Sequence, residues 1–173
     1  MKREKEKIKI FIVDDHQLVI DGLCSLLMNE SDFEIVGTTD KPGQLMAMME
    51  RKQVDILLTD VQMPEISGIE LSRMVMKKHP GTYILALSMY GDIGVIRQMI
   101  DSGISGYILK NTGKNELLEA LNKISKGQNY FSPEITRELM QAVKTQGEKK
   151  AHLTNREIEI IKLIAKDLLA TSK

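Results

Sequence analysis

Two periods alternate along this chain. Apolar, β-branched runs at 8–13, 33–39, 54–58, 83–87 and 106–109 have the length and composition of strands buried on both faces. Between them, apolar residues return every three or four positions, as on one face of a helix. Val19, Leu23, Leu26 and Leu27 mark a first helix ending near Asn29, and Leu45 to Met49 a second packed on the sheet. A third runs from about Ser67 to Lys78, where His79-Pro80-Gly81 stops it. A fourth covers 92–101, and Leu117, Leu118, Leu121 and Ile124 mark a fifth. Strand-helix alternation repeated five times predicts an α/β fold, a flavodoxin-like doubly wound sheet of five parallel strands.

Beyond this unit, Ile135, Leu139 and Val143 recur at four-residue intervals, and a polar linker is expected from Thr145 to His152. Thr154 followed three residues later by Glu157 reads as a capping box opening a last helix with Ile161, Ile164, Ala165 and Leu168 on its apolar face. That face has no evident partner, so the helix is expected to fray, fold back or pair with a second copy. The chain has 24 basic and 24 acidic residues, which excludes a global field for nucleic acid. No apolar stretch is long enough to span a membrane and no signal-peptide pattern precedes the first strand, so a cytoplasmic, membrane-free protein is expected. Cys24, the only cysteine, lies in an apolar stripe and reads as an inert thiol. His16, His79 and His152 are far apart, which argues against a histidine-based metal site.

The chemistry gathers at strand ends. Asp14 and Asp15 follow the first strand, Asp60 the third, Ser88 the fourth and Lys110 the fifth. In an open parallel sheet these ends converge on one edge. Three carboxylates there repel one another unless a cation lies among them, and Mg²⁺, a hard ion that keeps several waters, suits so few protein ligands. No Gly-rich phosphate loop follows the first strand, so a dinucleotide is not expected. Acids, a metal and a lysine around one exposed carboxylate suit phosphoryl transfer onto that carboxylate. A carboxylate-nucleophile phosphatase would instead need its two acids after the first strand spaced by one residue, whereas Asp14 and Asp15 are adjacent.

Five ordered motifs, Val13-Asp14-Asp15-His16, Thr59-Asp60-Val61-Gln62-Met63-Pro64, Gly68, Leu87-Ser88-Met89-Tyr90 and Gly106-Tyr107-Ile108-Leu109-Lys110, resemble the receiver domain of two-component response regulators. The resemblance covers 8–127. It implies that a sensor histidine kinase phosphorylates Asp60, and that Asp15, Asp60 and the Gln62 carbonyl bind Mg²⁺ with Asp14 assisting through water. It also implies that Ser88 and Lys110 grip the phosphoryl group, and that Ser88 and Tyr107 form the conformational switch. Met89 is bulkier than the usual residue beside Ser88, and Asn111 replaces a frequent proline. Tyr130-Phe131-Ser132-Pro133 and Leu153-Thr154-Asn155-Arg156-Glu157 resemble NarL/FixJ-type regulators, whose output is a LuxR-type helix-turn-helix. The resemblance implies a helical linker over 128–152 and, over 153–173, only the start of that output. The tail from Lys144 carries seven basic and four acidic residues, a net of +3. Sequence-specific DNA binding is therefore expected of a full-length parent and not of these residues, with a homodimer on phosphorylation implied. The alternative is a standalone receiver serving as a phosphate sink or interaction module.

Overall fold

The computed structural model describes residues 6–146 and 153–170. Its sheet is built from β1 (Ile8–Val13), β2 (Phe33–Thr39), β3 (Ile56–Asp60), β4 (Tyr83–Ser88), β5 (Gly106–Leu109) and β6 (Tyr130–Phe131). The strands are parallel and lie in the order β2-β1-β3-β4-β5-β6. Side chains alternate between two cores, as the two-residue period of a strand requires. Phe11, Val13, Leu57 and Ala86 enter the core covered by α2 (Leu45–Met49), α3 (Gly68–Lys78) and α4 (Ile93–Asp101). Ile10, Ile12, Leu58 and Leu87 enter the other, under α1 (Gln17–Leu27) and α5 (Lys114–Ser125). Most of the methionines fill the first core or pack on it. Cys24 is half-buried, and burial, reinforced by Asp21, pushes its thiol up, in keeping with inertness.

The strand order reverses between β1 and β3, the place where doubly wound sheets bind ligands. Register then sets the chemistry level. Val13 pairs with Thr59 and Asp60 with Leu87, so Asp14 and Asp60 stand side by side at the strand ends. Ser88 pairs with Leu109, which places Lys110 one residue further along the same edge.

The expectation of five strands is corrected by β6. Tyr130 N–H donates to the Ser105 carbonyl at 3.0 Å and Ser132 N–H to the Tyr107 carbonyl at 3.1 Å. Two residues are too few to carry a period, so the pattern could not announce this strand. Gly106 makes room for it, since a Cβ there would lie 2.6 Å from the Tyr130 carbonyl oxygen.

After β6, α6 runs over Pro133–Gln146, taking in Thr145 and Gln146 of the expected linker. The remainder of that linker, to His152, lies outside the described residues. α7 spans Asn155–Ala170 and opens on the predicted capping box. Thr154 N–H donates to Glu157 Oε2 at 2.6 Å and Glu157 N–H to Thr154 Oγ1 at 3.2 Å. Of the three fates expected for this helix, the structure shows folding back. Ile160 is fully buried in the core beneath α4, with Ile164 packed beside it. The contact face therefore includes Ile160 as well as Ile161 and Ile164, and its anchor, Glu157, is polar. The Glu157 carboxylate, 2% exposed, pairs with the Arg97 guanidinium of α4. Thr154 Oγ1 donates to Asp101 Oδ1 at 2.7 Å. Burial would raise the Glu157 pKa, but the hydrogen bonds from Arg97 and Thr154 outweigh it and hold the carboxyl below the usual glutamate range.

Two outcomes are expected. Gly106→Ala should cost about 1–3 kcal/mol in urea unfolding, through overpacking against a backbone oxygen, with faster hydrogen exchange at Tyr130 and Ser132. Because the folded pKa of Glu157 is depressed, its contribution is complete above the unfolded value of about 4.3 and is lost as pH falls through the folded one. Hydrogen exchange of α7 should accordingly rise in acid before that of β1 or β3, and Glu157→Gln should remove this pH dependence.

Candidate functional site

Asp60 is the last residue of β3 and is 4% exposed. Its Oδ1 accepts hydrogen bonds from the backbone N–H of Val61 at 2.8 Å and of Gln62 at 3.4 Å. The loop that follows doubles back over it. Gly68 N–H donates to the Val61 carbonyl at 2.9 Å, and a Cβ on Gly68 would fall 2.2 Å from the Asp60 carbonyl oxygen. Only glycine fits so close an approach. Glu65, in the same loop, takes a φ of 69°, the left-handed region that non-glycine residues seldom enter.

Lys110 enters from the end of β5 with its side chain 8% exposed. Its Nζ lies 2.7 Å from Asp14 Oδ2 and 3.1 Å from Asp60 Oδ2, so one ammonium bridges both buried acids. Burial lowers the lysine's proton affinity, but its hydrogen bonds and charge interactions with Asp14 and Asp60 prevail and carry the pKa above the usual range. Asp60 is pushed up, first by burial and then by the charge of Asp14, against the opposing pull of Lys110. The site is thus short of positive charge.

Asp14, Asp15, His16 and Asp60 each offer a ligand atom within 4.8 Å of one another. Asp15 Oδ1 is shielded from water, with the His16 ring as its polar neighbour. Three carboxylates whose ligand atoms lie this close together fit a hard cation with oxygen ligands, the chemistry of Mg²⁺. Gln62 stands in the loop at the same edge. His16 joins this cluster although no other histidine stands near it in the sequence. Its Nδ1 lies 3.3 Å from Asp14 Oδ1 and 3.1 Å from Asp15 Oδ1, and its N–H donates to Asp14 Oδ1 at 2.9 Å. Adjacency to the paired acids was the available signal.

Ser88 is at the expected edge, but its hydroxyl donates to the Tyr90 carbonyl at 2.9 Å. The Tyr107 hydroxyl donates to the same carbonyl at 3.2 Å, and its ring is fully buried. The Tyr90 carbonyl is a junction that no residue-type pattern could reveal, because backbone groups carry no sequence signature. Met89 is 64% exposed at the rim. The Lys110-Asn111 peptide is trans.

A doubly wound parallel sheet with an acidic cluster at its switch point and a lysine bridging two of the acids defines a signalling receiver. Residues 10–122 match the response regulator receiver domain, and the chain belongs to that family. The response regulator protein VraR of Staphylococcus aureus is 33% identical over 159 residues, covering 92% of this chain and 76% of VraR. A two-component response regulator of the LuxR family from Aurantimonas sp. SI85-9A1 superposes with a TM-score of 0.75 at 26% identity, over 79% of this chain and 98% of that one. The isolated REC domain of RcsB from Salmonella enterica serovar Typhimurium, solved with the phosphomimetic BeF3-, gives a TM-score of 0.71 at 24% identity, over 76% and 98%, and shares the fold. These relatives bear out the NarL/FixJ-type resemblance. No helix among the described residues is long and apolar enough to cross a membrane.

Removing the bridging cation tests the electrostatics. Lys110→Gln should destabilise the metal-free protein by about 3–5 kcal/mol near neutral pH, the usual cost of breaking a buried pair. The loss should shrink in acid, since Asp60, already pushed up, then takes a proton and ceases to repel Asp14. Urea titrations at two pH values measure both effects.

Proposed function

We propose that Asp60 is the phosphoacceptor of a two-component response regulator. A carboxylate oxygen of Asp60 attacks phosphorus, the bond from phosphorus to the donor's leaving atom breaks, and an acyl phosphate forms. The observation that supports this most strongly is the Lys110 bridge between Asp14 and Asp60, which holds a fixed positive charge where the phosphoryl oxygens would arrive. Asp15, Asp60 and the Gln62 carbonyl would hold Mg²⁺, with Asp14 assisting through water, and the ion would neutralise phosphoryl charge when bound. Ser88 would turn its hydroxyl from the Tyr90 carbonyl to a phosphoryl oxygen, and Tyr107 would then keep that carbonyl to itself.

The donor in this reading is a sensor histidine kinase in the cytoplasm, and the domain acts as a switch without catalytic turnover of a substrate. In this reading residues 8–127 are the receiver, 128–152 the linker, and 153–173 the start of a LuxR-type, transcription-regulating output of which the chain holds only a part. Phosphorylation would favour a homodimer.

Intact-mass analysis after incubation with Mg²⁺ and a small acyl-phosphate donor tests the reading. The expected result is one added phosphoryl group that requires metal and is absent from Asp60→Asn. No adduct on the wild type, or an adduct retained by Asp60→Asn, would refute the assignment.

A further inference from the structure

We infer that His16 is a direct ligand to the ion at the acidic edge, and that it tilts the site from Mg²⁺ toward first-row divalent ions that accept imidazole. This rests on Asp15 and Asp60 holding a divalent ion. His16 is the N-cap residue of α1, with φ −105° and ψ 106°. A side chain at that position usually accepts a hydrogen bond from the first turn of its helix, but the His16 ring makes no such bond. It is turned back toward the acids instead. Its backbone N–H donates to Asp14 Oδ1 at 2.9 Å, which holds the residue beside the cluster. Asp14 divides its two oxygens, Oδ2 facing Lys110 at 2.7 Å and Oδ1 facing the His16 ring at 3.3 Å. The imidazole thus reaches the acids by the oxygen that the lysine does not touch.

The spacing fits coordination. Neighbouring ligand atoms of a six-coordinate ion with bonds of about 2.1 Å stand about 3.0 Å apart. His16 Nδ1 lies 3.1 Å from Asp15 Oδ1, and one ligand atom from each of Asp14, Asp15, His16 and Asp60 falls within 4.8 Å of the others. A nitrogen and the carboxylate oxygens can therefore share one ion without a shift of the strand ends. The His16 side chain is 66% exposed, so no core packing opposes the turn that presents its lone pair. Coordination through Nδ1 requires the ring proton on Nε2. Mg²⁺ takes oxygen ligands and gains little from an imidazole, whereas first-row ions such as Co²⁺ and Ni²⁺ bind it well. Exchanging one water for a ring nitrogen therefore favours those ions selectively, a bias that an edge of oxygens alone would lack.

The test titrates the whole chain with Mg²⁺ and with Co²⁺ by calorimetry and reads the ratio of the two affinities. His16→Gln keeps a polar side chain at an exposed position, so the core is untouched. It should lose about ten-fold or more in Co²⁺ affinity, the lower end of what even an outer-shell partner contributes, and far less in Mg²⁺ affinity, so that the ratio falls. In the wild type, Co²⁺ should move the His16 ring protons outside the ordinary NMR range. Excess Mg²⁺ should reverse that shift, which separates the acidic edge from binding at His79 or His152. An unchanged ratio in His16→Gln, or ring signals that stay in place, would overturn the role of His16 while leaving the cation site intact. Tighter binding of both ions by His16→Gln would overturn it as well, by showing that the ring only covers the acids until an ion displaces it. A wild type that binds neither ion would overturn the cation site itself.

Discussion

Parallel strands bring their carboxyl ends to one edge, and here three of those ends deliver ionisable side chains to a small, mostly buried volume. Asp14 and Asp60 are nearly inaccessible to water, so their mutual repulsion is poorly screened and their desolvation is only partly repaid by backbone N–H groups. The Lys110 ammonium, in contact with both, is what allows the edge to exist. It leaves a deficit, because three acids face one lysine, and Asp60 stays pushed up. In the proposed function, that deficit would suit a divalent cation and then a phosphoryl group held by the charges already assembled.

Precision at this edge comes from backbone close to it. The Gly68 approach pulls the loop after β3 back over Asp60 and fixes the direction in which its carboxylate points. The Tyr90 carbonyl collects two hydroxyls, from β4 and from β5, and so couples the site's near wall to the sheet's far edge. That edge is finished by β6, which gives the last full strand a partner and sends the chain directly into α6. The C-terminal helices are consequently part of the same packed core as Tyr107.

Much of this was legible in the residues. The alternation of periods gave the order of the first five strands and their helices, and a parallel sheet then required Asp14, Asp15, Asp60, Ser88 and Lys110 to meet, because all follow strands at the same end. The capping box at Thr154 and Glu157 was equally legible, since a cap is a local device spanning three residues. What escaped was whatever depends on partners distant in the chain. β6 is too short to show a period and exists only because Gly106 leaves room beside β5. His16 looked isolated among histidines because its partners are carboxylates. Glu157 read as a helix cap, yet its second partner, Arg97, is 60 residues away, and that long-range pair fixes where α7 lies on α4. Local pattern determined which elements form and which side chains reach the edge. Tertiary structure decided where the hydroxyls of Ser88 and Tyr107 point and where the last helix lies, because those choices are made by backbone carbonyls and ion pairs that no local spacing encodes.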